Sequence, residues 1–238
     1  MEQDKKKRKS WALILGMVLL GAVIGILAYM TDSERTVNIQ TIGNVTVHPD
    51  EDFEEPELKK GKNTFKKAVR VQNTGNSDSY VRVRLEFSEG NIEKVSGISQ
   101  SQNGTYYSAV VDGIDEPVKD DSDNVIIQTS PYIDHLPDGW VYIPEDEDDE
   151  LGGYYYYTSI LPAKNSTNTV ESTYTPYLCS HIMTWFENEA DVKPYDIYVY
   201  VEGVQIIDKD GAPFVETSQN AHDEWKLAWK EFTDRKEH

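Results

Sequence analysis

The feature that most constrains the fold is a regular alternation of apolar and polar residues in two neighbouring stretches. Phe65, Val69 and Val71 alternate with lysine, arginine and glutamine, and residues 81–87 read V-R-V-R-L-E-F. A period of two places every second side chain on one face, as in a β-strand with one buried side. Between the stretches, residues 73–78 read N-T-G-N-S-D, which are turn-forming residues. The pattern predicts two strands joined as a β-hairpin.

Further short runs of β-branched and aromatic residues are bounded by Gly, Pro, Asp and Asn. They predict strands within residues 106–111, 125–128, 140–143, 154–160 and 195–207. No strand–helix–strand rhythm occurs. The sequence therefore predicts an all-β fold, a sandwich of antiparallel strands.

Three segments of this region carry more specific predictions. The apolar parity of the last run changes at Gly203, which predicts a β-bulge. Residues 49–62 are acidic and contain proline, so we predict a loop there. Residues 177–188 fit either a helical face or a strand.

The N-terminus has the pattern of an export signal. Lys5 to Lys9 form a basic start, and residues 11–28 read WALILGMVLLGAVIGILA, an apolar run followed by polar residues from Thr31. Basic residues before the run and acidic residues after it direct the remainder of the chain outside the membrane.

The apolar run predicts a signal helix over residues 1–29. The small residue Ala28 suits the position before a cleaved bond, so cleavage is expected near Ala28, Tyr29 or Met30. The run is also long enough to span a bilayer as a helix. An uncleaved membrane anchor is therefore the alternative.

The charge limits the partners that such a chain attracts. It carries 42 acidic and 23 basic residues, a net charge of −19, so its field repels nucleic acid and anionic lipid. Contact with a membrane is expected only through the leader. The 15 Tyr, 6 Phe and 5 Trp argue for a folded domain, because disordered chains contain few aromatic residues.

Residues 30–48 form an N-terminal strand segment with two interpretations. Val37, Ile39, Val45 and Val47 share one parity, which suits a strand in the chain's own sheet. The same alternation suits a donor strand that adds to the open sheet of the next subunit. The residues alone leave both interpretations open.

The last segment, residues 216–238, predicts a short C-terminal helix. Asn220 can cap it, and Trp225, Trp229 and Phe232 are spaced at i, i+4 and i+7 along one face. This aromatic stripe either packs on the sandwich or forms an exposed surface for assembly.

Catalytic and metal-binding patterns are absent from the sequence. It has no His-Glu-x-x-His, no glycine-rich phosphate loop and no Gly-x-Ser-x-Gly, and its five histidines are scattered. The single cysteine, Cys179, lies near His181, but we interpret it as a structural residue rather than as a nucleophile. We therefore predict no catalytic residue, no metal and no cofactor.

Two further patterns concern acidic and tyrosine-rich segments. The segments 112–123 and 208–211 are interpreted as solvated acidic loops, with weak calcium binding as the alternative, and the run 145–150 is interpreted as a mobile loop of mutually repelling charges. The run 154–157 is four tyrosines, which as a strand places one pair in the core and leaves the other as a candidate surface.

Several fragments occur in an order that is similar to a known family. After the leader ending A-Y-M-T-D-S at 28–33 come N-I-Q-T-I-G-N-V at 38–45, V-R-V-Q-N-T-G at 69–75, Y-V-R-V-R at 80–84, D-G-W-V-Y at 138–142 and Y-D-I-Y-V-Y-V-E-G-V-Q at 195–205. This order resembles the TasA/camelysin family. The resemblance implies a jelly-roll-like β-sandwich, export from a Gram-positive bacterium, and deposition in extracellular fibres or on the cell surface. It also implies processing by a signal peptidase of the SipW type and assembly with itself or with related matrix subunits.

Together these patterns predict an exported, non-catalytic structural protein of the cell surface or biofilm matrix, a major or accessory fibre subunit. Residues 49–215 are expected to form the sandwich with its acidic loops. The alternative is a membrane-anchored adhesion or binding module. A secreted hydrolase is a third, less favoured interpretation, because no converging ionisable groups are visible.

Overall fold

The computed structural model describes residues 39–41, 45–54, 56–148, 150–164, 168–208, 210–214 and 223–236, which all belong to the compact unit Thr36–His238. The predicted signal helix with Ala28, Tyr29 and Met30, the strand residue Val37 and the cap residue Asn220 lie outside these residues.

The described residues form mainly β-strands. The strands are β1 Ile39–Thr41, β2 Val47–Phe53, β3 Gly61–Asn73, β4 Ser79–Phe87, β5 Ser96–Ser99, β6 Tyr107–Ser108, β7 Val118–Lys119, β8 Val125–Pro131, β9 Trp140–Ile143, β10 Tyr154–Leu161, β11 Cys179–Phe186 and β12 Ile197–Gln205. The α-helices are α1 Gly90–Glu93 and α2 Glu224–Lys236. Short 3₁₀ segments occupy Tyr132–His135, Glu171–Thr173 and Glu189–Asp191.

Two sheets pack against each other. One has the strand order β1-β12-β4-β10-β9 and the other has the order β2-β3-β11-β5-β6-β8-β7. The predicted all-β sandwich with a short C-terminal helix is therefore confirmed. Most pairs are antiparallel, but β1 pairs with β12 and β6 pairs with β8 in parallel.

The main core lies between the sheets. Inward-facing side chains of β3 and β11 meet those of β4, β10 and β12, and all are nearly inaccessible to solvent. The central members are Val69, Val71, Val81, Val83, Tyr155, Ile182, Val199 and Val201.

The predicted hairpin between the alternating stretches is wrong, although both strands exist. β3 pairs with β2 and β11, whereas β4 pairs with β12 and β10 in the other sheet. The Asn73 side chain donates to the carbonyls of Ser77 and Leu161, so the segment 74–78 is held as an arch between sheets. Alternation reveals which face is buried, and that face is the same for an arch and a hairpin.

The predicted loop at residues 49–62 is also wrong at both ends, because Val47–Phe53 is the edge strand β2 and β3 begins at Gly61. Pro49 is tolerated there because an edge strand leaves one side of its backbone unpaired. The acidic residues of β2 face basic residues of β3: Asp50 accepts a hydrogen bond from Arg70 at 2.7 Å, and Glu51 pairs with Lys67. Cross-strand ion pairs thus keep an acidic segment in the sheet.

No bulge occurs at Gly203, since β12 stays in register with β4 from Ile197 to Gln205. The parity change has another cause. The end of β12 is buried on both faces, with Val201 inside the sandwich and Val204 beneath α2. Gly203 faces inward, where the side chains of Val45 and Val47 occupy the place of a side chain.

The segment 177–188, which fitted either a helix or a strand, contains strand β11. Both faces of this strand are covered. Ile182 lies in the main core, while Met183 packs on the outer face against Tyr106 and Ile127. Burial on both sides hides the alternation that marks a strand.

We predict that Gly203→Ala destabilises the protein by about 1–3 kcal/mol, the usual cost of overpacking. A Cβ atom at Gly203 would lie 2.8 Å from Cγ1 of Val45 and 2.9 Å from Cγ2 of Val47. Urea unfolding followed by tryptophan fluorescence measures the change. Gly90→Ala is the control, because a Cβ atom there meets nothing within 4 Å. Equal stabilities for the two variants would contradict this account of Gly203.

Candidate functional site: the outer face and edges of the five-stranded sheet

Helix α2 covers the outer face of the five-stranded sheet with its aromatic stripe. Trp225, Trp229 and Phe232 are all at most 4% exposed, together with Ala228 on the same face. They pack on side chains from β4, β10, β12 and the loop after β9, namely Tyr80, Leu151, Tyr156 and Val204. The structure thus places the stripe in packing within the chain rather than on its surface.

A buried ion pair lies beneath the helix. Arg82 of β4 and Glu202 of β12 are directly opposite in the register, and their side chains are only 5% and 8% exposed. Nε of Arg82 donates to Oε2 of Glu202 at 2.6 Å, and Nη2 lies 2.5 Å from the same oxygen as an ion pair. This charged hydrogen bond and ion-pair contact offset part of the cost of taking both charges out of water.

The ion pair extends into a hydrogen-bonded chain. Nη1 of Arg82 donates to the hydroxyl of Tyr156 at 3.1 Å, and this hydroxyl donates to the carbonyl of Leu151 at 2.6 Å. Burial raises the pKa of Tyr156 to about 12, so the phenol stays protonated and remains a donor at neutral pH. The chain connects β12, β4, β10 and the acidic loop that follows β9.

Aromatic rings enclose the guanidinium group of Arg82. The Cζ atom lies 3.8 Å from the ring centroid of Tyr154 and 4.3 Å from that of Trp229. A desolvated cation over aromatic faces gains about 2 kcal/mol or more. Trp229 comes from α2, so the cation contributes directly to holding the helix on the sheet.

The four tyrosines of β10 alternate faces as predicted. Tyr155 and Tyr157 contribute to the main core, whereas Tyr154 and Tyr156 contribute to the cluster beneath α2. Both pairs therefore pack against other residues of the chain, and neither pair forms the free surface that the sequence offered as a candidate.

The structure describes three of the four N-terminal strand residues named from the sequence. Val45 and Val47 lie in the chain's own core, at 0% and 1% exposure. Ile39 begins strand β1, which runs parallel to β12 and pairs with residues 201–203 only. Among the described residues, β1 is the only strand on this side of β12, although β12 is nine residues long.

Cys179 and His181 sit in different environments. The Cys179 thiol is fully buried in the main core, 3.4 Å from the carbonyl oxygen of Lys67, and burial raises its pKa to about 12. His181 is partly exposed, its Nδ1 lies 2.8 Å from the hydroxyl of Ser180, and partial burial and Lys66 lower its pKa. A thiol with so high a pKa is a poor nucleophile at neutral pH.

The acidic loops use their carboxylates to close turns. Oδ1 of Asp120 accepts the backbone N–H groups of Ser122 and Asn124, and Oδ1 of Asp208 accepts those of Asp210 and Ala212. These hydrogen bonds lower the pKa of Asp120. Within the described ranges, no group of three His, Cys, Asp or Glu residues could hold a metal ion. No helix in the described part of the chain is long and apolar enough to cross a membrane.

Sequence reasoning missed the pair of Arg82 and Glu202. Arg82 alternates with Val81 and Val83, so its strand position marks it as outward-facing and hence as exposed. A signal was available in Glu202, a lone carboxylate between Val201 and Gly203 in an otherwise apolar strand. A charge in such a strand is most often paired.

Comparison of the chain with known protein families, with curated proteins and with solved structures found no match.

We predict that Arg82→Met costs about 3–5 kcal/mol of unfolding free energy, because it leaves the Glu202 carboxylate buried without its partner. Arg82→Met/Glu202→Leu should cost less than the single change, since no charge remains uncompensated. Urea unfolding of the single and double variants gives the coupling energy.

The control for this cycle is the neighbouring pair of Arg84 and Glu86, which lie 2.6 Å apart at 36% and 37% exposure. Arg84→Met should cost no more than about 1 kcal/mol. Similar losses of unfolding free energy for Arg82→Met and Arg84→Met would show that burial does not change the contribution of an ion pair to stability.

We also predict that the native protein resists thiol labelling. Since the Cys179 thiol is buried and protonated, Ellman's reagent at pH 8 should react only as fast as the chain unfolds. The absorbance of the released thiolate follows the reaction, and the denatured chain in guanidinium chloride provides the reference rate. Rapid labelling of the folded chain would reopen the nucleophile interpretation.

Proposed function

We propose that this chain is an exported, non-catalytic structural protein of the cell surface or biofilm matrix, a major or accessory fibre subunit. The observation that carries the proposal is that, among the described residues, β12 is paired on the side of the N-terminal segment only at residues 201–203. In the described part of the chain, β1 pairs with three residues of this nine-residue strand, and Val37, Ile39, Val45 and Val47 share one parity in the sequence. An extended segment from another copy can continue such an edge by backbone hydrogen bonds.

The leader pattern and the family resemblance support the same proposal. A basic start, an apolar run and a small residue at Ala28 are typical of a chain that is exported before it assembles. The fragments that resemble the TasA/camelysin family extend over most of the chain, and this resemblance implies fibres or surface deposits. Processing by a SipW-type signal peptidase, and assembly with itself or related matrix subunits, belong to this proposal.

The chemistry of the domain supports a non-catalytic role. The single thiol is buried in the core, and the buried charges Arg82 and Glu202 neutralise each other beneath a helix. Both features stabilise packing rather than expose a reactive group. A hydrolase would need a nucleophile or an acid/base pair that opens into a cleft.

The first experiment determines the N-terminal sequence and the size distribution of the protein recovered from its host. A chain that starts near Tyr29 to Thr31 and occurs in filaments supports a fibre subunit. A chain that keeps residues 11–28, stays in the membrane fraction and is monomeric supports the membrane-anchored adhesion module instead.

A pair of matched variants tests the route of assembly. We predict that Val37→Asp/Ile39→Asp abolishes filaments seen by negative-stain electron microscopy, because it places charges on the apolar parity of the N-terminal segment. Asn38→Asp/Gln40→Asp adds the same charge on the opposite parity and should leave filaments intact. Circular dichroism checks that both variants fold. If both lose filaments equally, repulsion and not strand insertion explains the effect.

A further inference from the structure

The four edges of the two sheets differ in how they are protected. Strand β2 carries Pro49 followed by Asp50, Glu51 and Asp52, and β7 is only two residues long. The edge at β12 is paired in part with β1. Proline, charge, shortness and cover are the means by which proteins prevent edge pairing.

The fourth edge, strand β9, is four residues long, and it carries neither a proline nor a charge within the strand and has no covering strand among the described residues. Its sequence is W-V-Y-I, and it pairs with β10 on one side only within the described residues. In an antiparallel pair, every second residue of an edge strand directs its N–H and C=O groups outward. The N–H of Trp140 already donates to the carbonyl of Pro137 at 3.1 Å, so Tyr142 is the residue of β9 that can pair with an added strand through both its N–H and its C=O.

A groove runs beside this edge on the outer face of the sheet. It has a volume of about 640 Å³ and is lined by Val141 and Ile143 of β9, Thr158 of β10, and Trp225, Lys226 and Lys230 of α2. A strand edge beside a helix is an arrangement suited to peptide recognition, since backbone bonds give affinity and the groove receives alternate side chains.

The charge around the groove selects the partner. Lys226 and Lys230 are each near a carboxylate of the same rim, at 3.4 Å from Asp223 and 3.8 Å from Asp148. Glu147 also lines the groove, and Asp138 and Asp146 lie within three residues of an end of β9 in the sequence. None of these three carboxylates forms an ion pair in the described part of the chain. The local excess of charge is negative, so it attracts a cationic segment and repels an acidic one.

We propose that the β9 edge and its groove bind an extended polypeptide segment of a partner protein with lysine or arginine at alternate positions. The basic side chains point into the groove, toward the rim carboxylates. The other side chains continue the inner face of the sheet beside Trp140 and Tyr142, and are therefore apolar. The chain's own residues 31–41 hold Asp32, Glu34 and a single Arg35, and this composition does not match the site.

The test uses a seven-residue peptide of alternating lysine and valine, with fluorescence anisotropy at about 150 mM salt to screen distant charges. Two further peptides carry N-methyl groups, one on the lysine amides and one on the valine amides. Each methylated peptide keeps its charges but lacks the backbone N–H donors along one of its two edges. We expect one of them to bind about tenfold more weakly or worse. Equal binding of all three, or no binding of the parent peptide, would overturn the proposal.

Matched charge variants locate the site. Asp146→Lys/Glu147→Lys beside β9 should weaken binding about tenfold or more, and Asp115→Lys/Glu116→Lys should weaken it less than about twofold. Both pairs are adjacent, exposed Asp-Glu sequences, so the change in net charge is identical. If both variants lose the same binding affinity, the peptide is attracted by the net charge of the whole protein, and the proposed site is wrong. Slower hydrogen exchange at residues 140–143 in the complex is the structural readout, and its absence would also contradict strand addition.

Discussion

The ion pair between Arg82 and Glu202 is the contact on which the arrangement of the C-terminal helix depends. The two residues belong to β4 and β12, the neighbouring strands at the centre of the five-stranded sheet. A buried pair of charges is tolerated only where its hydrogen bonds are complete and water stays out. Helix α2 excludes the water, and the guanidinium group in turn attracts the ring of Trp229. The helix and the pair thus stabilise each other.

The five-stranded sheet is therefore covered on both faces. Its inner face packs on the seven-stranded sheet, and its outer face packs on α2. Apolar contacts and the Arg82 cation hold the helix on the sheet. The buried Nε1 of Trp229 adds no hydrogen bond to them, since it has no partner among the described residues. An unpaired indole N–H costs about 1–3 kcal/mol. The aromatic contacts with Tyr156 and Phe232 must offset that cost.

The sequence allowed prediction of which faces are buried, but not of which strands are neighbours. Alternation at Val69, Val71, Val81 and Val83 located β3 and β4 and their inward sides, because side-chain direction is a local property of a strand. Pairing is a tertiary property, and the arch at 74–78 uses the same turn residues as a hairpin. Strand β2 was missed for a related reason: the basic partners that hold its acidic residues lie on β3, beyond the range of any local pattern.

The candidate site was less accessible from the sequence than the fold. The helical spacing of Trp225, Trp229 and Phe232 marked a face that must be covered, and the tyrosine run marked two faces of a strand. Neither pattern could show that these faces meet, or that Arg82 lies between them. The open edge of β9 could not be predicted at all, because whether a strand is central or peripheral depends on the order of every other strand in its sheet.

The charge and the edges of the domain together limit how it can associate. A net charge of −19 makes two copies of the chain repel each other when they meet without a specific contact. The chain also has a single cysteine and therefore no internal disulfide. The proline and acidic residues of β2 prevent edge pairing at one side of the seven-stranded sheet. The remaining opportunities lie in the five-stranded sheet, at β12 and at β9, on either side of the helix-covered face. Backbone hydrogen bonding is short-ranged and directional, so it can overcome the repulsion only where such an edge is presented. The proposed modes of association therefore both use strand edges, while helix α2 keeps its aromatic stripe and the outer face of the sheet beneath it inside the molecule.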